Sequence, residues 1–314
     1  MSIPNFMIVG AQKSGTDSLY GYLKEHPAVV MAAPKEPDYF SRDPRYVEWG
    51  WYASCFVMTE NAKAVGEAST SYMAIPATAQ RIAETLGNRV KLIFILRNPV
   101  ERIYSSYLHM RKSLPFYDKR PIDQAICWQK AELGVAVQEE QKRLAVAAAA
   151  GTIDLASFSD FGAEAEWNYR YIANSWYRAQ IEIFLQYFPK ETLFFLLFDE
   201  LKQDWRETAR RLFEFVGVDP DFANQLQVSQ RHKTRMPAEG ALGTILAYRP
   251  FRNLGRQLAK VNAGAKIKKF IKNRATRNYE PMPVELRKQL TKMFTNENKQ
   301  LSKLIGIDLS HWNN

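Results

Sequence analysis

Three apolar runs, "FMIV" at Phe6–Val9, "KLIFIL" at Lys91–Leu96 and "TLFFLLF" at Thr192–Phe198, carry one charged side chain between them. A strand with one wet face alternates apolar and polar residues, so unbroken runs predict strands covered on both faces. Val29–Met31 and Ala64–Gly66 read as shorter strands of the same kind. Between them, helical spacing predicts helices over Ser18–Glu25, Ala77–Leu86, Val100–Lys112, Tyr169–Tyr187 and Asp204–Val216. Doubly covered strands alternating with helices point to the α/β class: three layers, with a central, mostly parallel sheet flanked by helices.

A chain of 314 residues with 46% hydrophobic content can bury a large core, and the expectation is one domain over 1–314. Residues 114–161 contain Ala-rich helical sequence without an obvious strand and read as a helical insertion, or cap, over the sheet. Residues 241–279 hold ten basic residues and no acid and read as a basic helical segment. The formal charge of +10 favours an anionic ligand, partner or surface, yet no nucleic-acid recognition motif is present. The basic segment also raises peripheral contact with anionic lipid, though a solvated lysine-rich face is the commoner outcome of such runs. Two distant cysteines, no secretory pattern and no apolar stretch near the roughly eighteen residues of a membrane span give a cytoplasmic expectation.

The first strand runs into "GAQKSGTDSL". A turn that opens a helix suggests phosphate, because the helix-start N–H groups and the positive end of the dipole attract anions. The expected architecture is therefore P-loop-like, but the nucleotide pattern G-x-x-x-x-G-K-[ST] fails. Gly10 and Gly15 keep the spacing, Thr16 and Asp17 follow, and the lysine sits inside the loop as Lys13. The strand Lys91–Leu96 ends in Arg97, where a magnesium nucleotidase would place Asp. A guanidinium there suits bidentate phosphate binding, and Ser105 lies two helical turns further on, above the same strand end. Ligands of open α/β sheets sit at the carboxyl ends of strands, so Arg97 and Ser105 can face the Lys13 loop.

These features resemble the sulfotransferases that use 3′-phosphoadenosine 5′-phosphosulfate (PAPS). "GAQKSGTDSL" is similar to that family's 5′-phosphosulfate loop and "RNPVERIYSSY" to its 3′-phosphate motif. "HPAVVMAAPKEPDYFSRD" resembles the segment of heparan-sulfate-type enzymes that carries a catalytic glutamate. "SWYRAQIEIFLQYFPKETLFFLLFDEL", "RHKTRMP" and "RKQLTKMFTNENKQLSKLIGID" resemble later family segments, in order. The resemblance covers most of the chain and is weakest over Leu114–Phe161 and Ala241–Tyr279.

The resemblance implies PAPS as donor, adenosine 3′,5′-bisphosphate (PAP) as product and no metal. Lys13 offsets charge on the leaving phosphate oxygen, and backbone N–H groups from Ser14 to Ser18 cradle the 5′-phosphate, with Gly15 allowing close approach and Thr16 and Ser18 adding hydroxyls. Arg97 and Ser105 hold the 3′-phosphate, and Lys233, Thr234 and Arg235 match a late basic loop that closes on the nucleotide. Glu36 is the general base and His109 an auxiliary acid–base residue. Lys35, Glu67, Ser69 and Tyr72 fall on the acceptor side. Two departures stand out. Asp17 occupies a position where the family commonly has Thr or a basic residue, so it is expected to point away from the nucleotide. Ala68 stands where related glycosaminoglycan enzymes often carry lysine. The acceptor is a small molecule, glycan or lipid, with a hydroxyl favoured over an amine. A small-molecule kinase with a degenerate phosphate loop and a non-catalytic nucleotide-binding relic are the rival readings.

Overall fold

The computed structural model describes residues 3–112, 117–227, 236–237, 276–277 and 281–314. In chain order the elements are β1 (Phe6–Gly10), α1 (Thr16–Glu25), β2 (Val29–Met31), α2 (Trp49–Ser54), β3 (Ala64–Ala68), α3 (Ser71–Ala74), α4 (Ala77–Leu86) and β4 (Lys91–Leu96). They continue with α5 (Pro99–Lys112), α6 (Ile122–Ala125), α7 (Leu133–Ala149), α8 (Tyr177–Leu185), β5 (Leu193–Leu197), α9 (Phe198–Gln203), α10 (Trp205–Val216) and α11 (Val284–Ile305). The five strands form one sheet of order β2-β3-β1-β4-β5, parallel throughout. Here β1 occupies the centre, and the loops leaving β1, β3 and β4 emerge side by side at the carboxyl edge.

Successive strand residues feed two different cores. Met7, Val9, Leu92, Phe94 and Leu96 pack with α4, α8 and α11 on one face. Phe6, Ile8, Ile93 and Ile95 pack with α1 and α10 on the other. That is the period of two expected of a pleated strand buried on both sides. Each fully buried aliphatic or aromatic side chain contributes about 1.5–3 kcal/mol, so the sheet is the rigid platform of the molecule. Gly66 shows how close the strands come: a Cβ there would sit 2.3 Å from Cε2 of Phe6, its partner on β1.

Two expectations about helices are corrected. The helix expected over Tyr169–Tyr187 is α-helical only from Tyr177, preceded by 3₁₀ turns at Trp167–Tyr169 and Ala173–Ser175. Side chains take over the backbone groups a helix would use: Arg102 donates to the Tyr171 carbonyl, Asn174 donates to the Trp167 carbonyl, and Glu140 accepts from the N–H of Ile172 and Ala173. The helical insertion is present as α6 and α7, but it does not lie over the sheet. Its apolar residues, Ala125, Leu133, Ala136, Leu144 and Ala147, join Ile103 and Met110 of α5 and Leu290 and Phe294 of α11 in a third core. Only residues 276–277 of the basic segment fall within the described part, where their backbone pairs antiparallel with 236–237. Among the described residues no helix is long and apolar enough to cross a membrane.

Candidate active site

The loop after β1 holds its shape by backbone conformation. Lys13 adopts φ 68° and Gly15 φ 105°. At Gly15 a Cβ would approach Leu201 Cδ2 to 2.8 Å and Phe198 Cδ2 to 3.0 Å, so α9 behind the loop excludes a side chain there as firmly as the dihedral does. This glycine serves the packing of the loop against α9. No side chain caps α1 at Gly15, which leaves the helix start facing the carboxyl edge of the sheet, as an anion site requires. The cradle is narrower than the sequence suggests. Ser14 is fully buried and its N–H donates to the Ala11 carbonyl at 3.2 Å; the Ser18 N–H donates to Gly15 at 3.0 Å. The Thr16 side chain is also buried.

Arg97 joins the β4 edge to this loop. Its Nη1 donates to the Lys13 carbonyl at 3.2 Å, Nη2 lies 3.5 Å from Glu101 Oε2, and the guanidinium stacks 5.0 Å from the centre of the Phe198 ring. Burial pulls its pKa below the ordinary arginine value, against the pull of Glu101, and a guanidinium remains charged even so. The strand end is anchored from behind, where the Tyr177 hydroxyl donates to the Arg97 carbonyl at 2.9 Å. Asn98 caps α5 by accepting from the Val100 N–H, and its amide donates to the Trp312 carbonyl. Ser105 is half-buried on α5, and His109 is half-buried one turn beyond it. Ser106, next along, donates to Gln12 Oε1 at 3.2 Å, and Gln12 Nε2 donates to Asn168 at 2.6 Å.

The loop after β2 brings Glu36 to the same edge. Its backbone is left-handed at Glu36 (φ 58°) and Asp38 (φ 56°), and the Glu36 N–H donates to the Ala68 carbonyl at the end of β3. Glu36 Oε1 accepts from the buried Thr70 hydroxyl at 3.0 Å and from Lys35 Nζ at 3.2 Å. Lys35 also reaches Asp17 Oδ1 at 2.9 Å. Burial by itself would lower the Lys35 pKa, but Glu36 and Asp17 outweigh it and raise it above the usual lysine value. The Asp17 side chain is 77% exposed and is engaged with Lys35.

Glu67, Ser69 and Tyr72 require correction: the acceptor-side placement does not hold, because all three are fully buried. Glu67 accepts from Tyr52 and Tyr72 hydroxyls, each at 2.7 Å, and from Ser69 Oγ at 2.6 Å. Ser69 Oγ in turn accepts from the Asp38 N–H at 3.0 Å. The cluster supports the Glu36 loop from below. Burial raises the Glu67 pKa, and the three hydroxyl donors oppose that rise. Asp38, bonded by Ser71 Oγ, is raised to about 7, first by burial and then by Glu36 and Glu67 nearby.

Lys233, Thr234 and Arg235 lie outside the described residues. Sequence reading missed Thr70, Gln12 and Ser106. Thr70 carried a usable signal, lying two residues past the carboxyl end of β3 in "GEASTSYM"; Gln12 and Ser106 carried none, because Ser106 bonds Gln12 and Gln12 in turn bonds Asn168 of a distant 3₁₀ turn.

A family profile described as "Sulfotransferase domain" matches residues 4–302. The membrane-associated sulfotransferase kil1 of Dictyostelium discoideum is 43% identical over 112 residues, 34% of this chain and 23% of that protein. The bifunctional heparan sulfate N-deacetylase/N-sulfotransferase 3 of Homo sapiens is 24% identical over 99% of this chain and 31% of its own length. The chain thus spans about a quarter to a third of the length of these curated relatives. A sulfotransferase crystal structure from Alicyclobacillus acidocaldarius superposes with TM-score 0.65 and 24% identity, covering 100% of both chains, which shows the shared fold.

Proposed function

We propose that this chain, which belongs to the sulfotransferase domain family, moves a sulfuryl group from PAPS to a hydroxyl of a carbohydrate, lipid or small natural-product acceptor. The observation that carries the reading is the bond from Arg97 to the Lys13 carbonyl, which joins two anion-binding groups at the edge where Glu36 also stands. PAPS supplies an activated sulfuryl group on a phosphate leaving group. The α1 start, through the Gly15 and Thr16 amides, binds the 5′-phosphate. Lys13 offsets negative charge on the leaving oxygen, much as a metal ion does in phosphoryl transfer. Arg97 and Ser105 bind the 3′-phosphate, and the basic Lys233-Thr234-Arg235 sequence contributes to nucleotide binding.

Glu36 takes the acceptor proton, held at the required orientation by the Thr70 hydroxyl. Sulfuryl transfer is mostly positioning and charge stabilisation, and the rigid strand ends under all three loops supply the positioning. The kinase reading loses its ground to the family assignment. An amine acceptor is the second reading, favoured by the similarity to a bifunctional N-deacetylase/N-sulfotransferase, over 99% of this chain and 31% of that protein, and by His109, one turn beyond Ser105.

The test is calorimetric titration with PAP, ATP–Mg²⁺ and ADP on the wild type and on Arg97→Ala. Tight metal-free binding of PAP that collapses in the variant supports the assignment. Preference for ATP–Mg²⁺, or no binding at all, refutes it.

A further inference from the structure

The Lys35 ammonium bridges two carboxylates from different loops, Asp17 at the start of α1 and Glu36 on the base loop, at 2.9 and 3.2 Å. Asp17 is the second residue of the helix whose N-terminus binds the donor under the proposed function. A carboxylate there lies within one turn of the anions that the helix start attracts, and it is engaged with Lys35. It is stable without nucleotide because the helix dipole and Lys35 both favour it. Once an anionic donor occupies the loop, the donor competes with Asp17 for the same cation.

We propose that Asp17 is a placeholder for the donor: it holds Lys35 over Glu36 in the free protein and yields the ammonium to the sulfuryl group of PAPS when the donor binds. The proposal rests on the sulfotransferase reading and adds to it a positioning role for Asp17 and a sulfuryl contact for Lys35. Exposure favours the exchange. The Asp17 side chain is 77% exposed and keeps solvent when released, whereas Lys35 is 21% exposed and gains from any anion that replaces its partner. Glu36 retains the Thr70 hydroxyl throughout, so losing part of its contact with Lys35 does not leave the base unanchored.

PAP and PAPS provide the discriminating pair of probes. Above pH 7 their net charges are nearly equal, but only PAPS carries the sulfuryl group. A change in overall field moves both affinities together, whereas a contact to the sulfuryl group changes their ratio. The experiment measures Kd for PAP and PAPS at pH 8 on the wild type, Asp17→Asn, Lys35→Met and Lys35→Arg. Asp17→Asn is expected to raise the preference for PAPS over PAP about three- to fivefold, the scale of one partly exposed ion pair. Lys35→Met should lower that preference about tenfold or more, and Lys35→Arg should restore part of it. Equal shifts for both nucleotides in Asp17→Asn, or a loss confined to PAPS in that variant, overturn the proposal. A wild type that binds neither nucleotide refutes the sulfotransferase reading itself, a result separate from any ratio among the variants.

Discussion

Removing the Tyr72 hydroxyl tests how the base loop is supported. Tyr72→Phe deletes one of three hydroxyl donors to the fully buried Glu67 carboxylate, at 2.7 Å, and also an acceptor for the Phe40 N–H at 3.4 Å. A hydrogen bond to a charged group contributes about 1.5–3 kcal/mol, and the longer Phe40 contact adds little, so the expected loss of stability at pH 7.5 is about 2 kcal/mol. The sign of its pH dependence follows from burial. Glu67 already has a raised pKa in the folded state, so ionising it costs stability, and that cost grows as pH rises above the unfolded carboxylate value. Loss of a hydroxyl that stabilised the anion moves the folded pKa further up. The variant should therefore be closest to wild type at pH 4.5 and fall away steadily as pH rises. Urea denaturation across pH 4.5–8, with Glu67→Gln as a second background, measures it. A loss that is independent of pH, or equally large in the Glu67→Gln background, would refute the account of Tyr72 as a donor to a buried carboxylate.

Lys13→Ala should lower turnover by about two orders of magnitude or more while changing PAP affinity only a few-fold, because under the proposed function the lysine acts on charge that develops during transfer; steady-state kinetics beside calorimetry separates the two. Gly15→Ala should destabilise by about 2 kcal/mol or more in thermal denaturation, combining a φ of 105° with a 2.8 Å approach to Leu201. Asp38 and Glu140 both have folded pKa values raised to about 7, so wild-type stability should decline between pH 4.5 and 7 from their ionisation; Asp38→Asn should flatten that decline in urea titrations. Thr70→Val, a near-isosteric change, should leave the fold intact and lower kcat about tenfold by releasing the Glu36 carboxylate, with PAP affinity unaltered in calorimetry.

The sheet was legible because parallel strands buried on both faces must be apolar throughout, and Phe6–Val9 and Lys91–Leu96 leave little else to choose. Arg97 beside the Lys13 loop was legible for a related reason: strand ends in such sheets converge, and two cationic groups at two strand ends are a local signal. What failed was the polar interior. Glu67, Ser69 and Tyr72 have the composition of a binding surface, and only the third dimension shows that Tyr52 lies opposite and closes the carboxylate away from solvent. The helix expected from Tyr169 failed likewise, since its competitors Arg102 and Glu140 are remote in sequence. Asp17 could be read as an outward-facing departure, but its partner Lys35 could not.

The third core places α5 between parts of the chain made at very different times. Arg97, Ser105 and His109 ride on or beside a helix whose supports include Glu101 with Arg287 at 2.6 Å, and Asn98 with the Trp312 carbonyl. During synthesis the Lys13 loop and the Glu36 loop can settle on a sheet completed by β5. The Arg97–Ser105 side gains its last contacts only after residue 312 has cleared the ribosome. A nascent chain stalled within residues 228–280 should thus display the Lys13 loop before the Arg97 side is complete, so under the proposed function nucleotide capture is expected to be a late marker of folding.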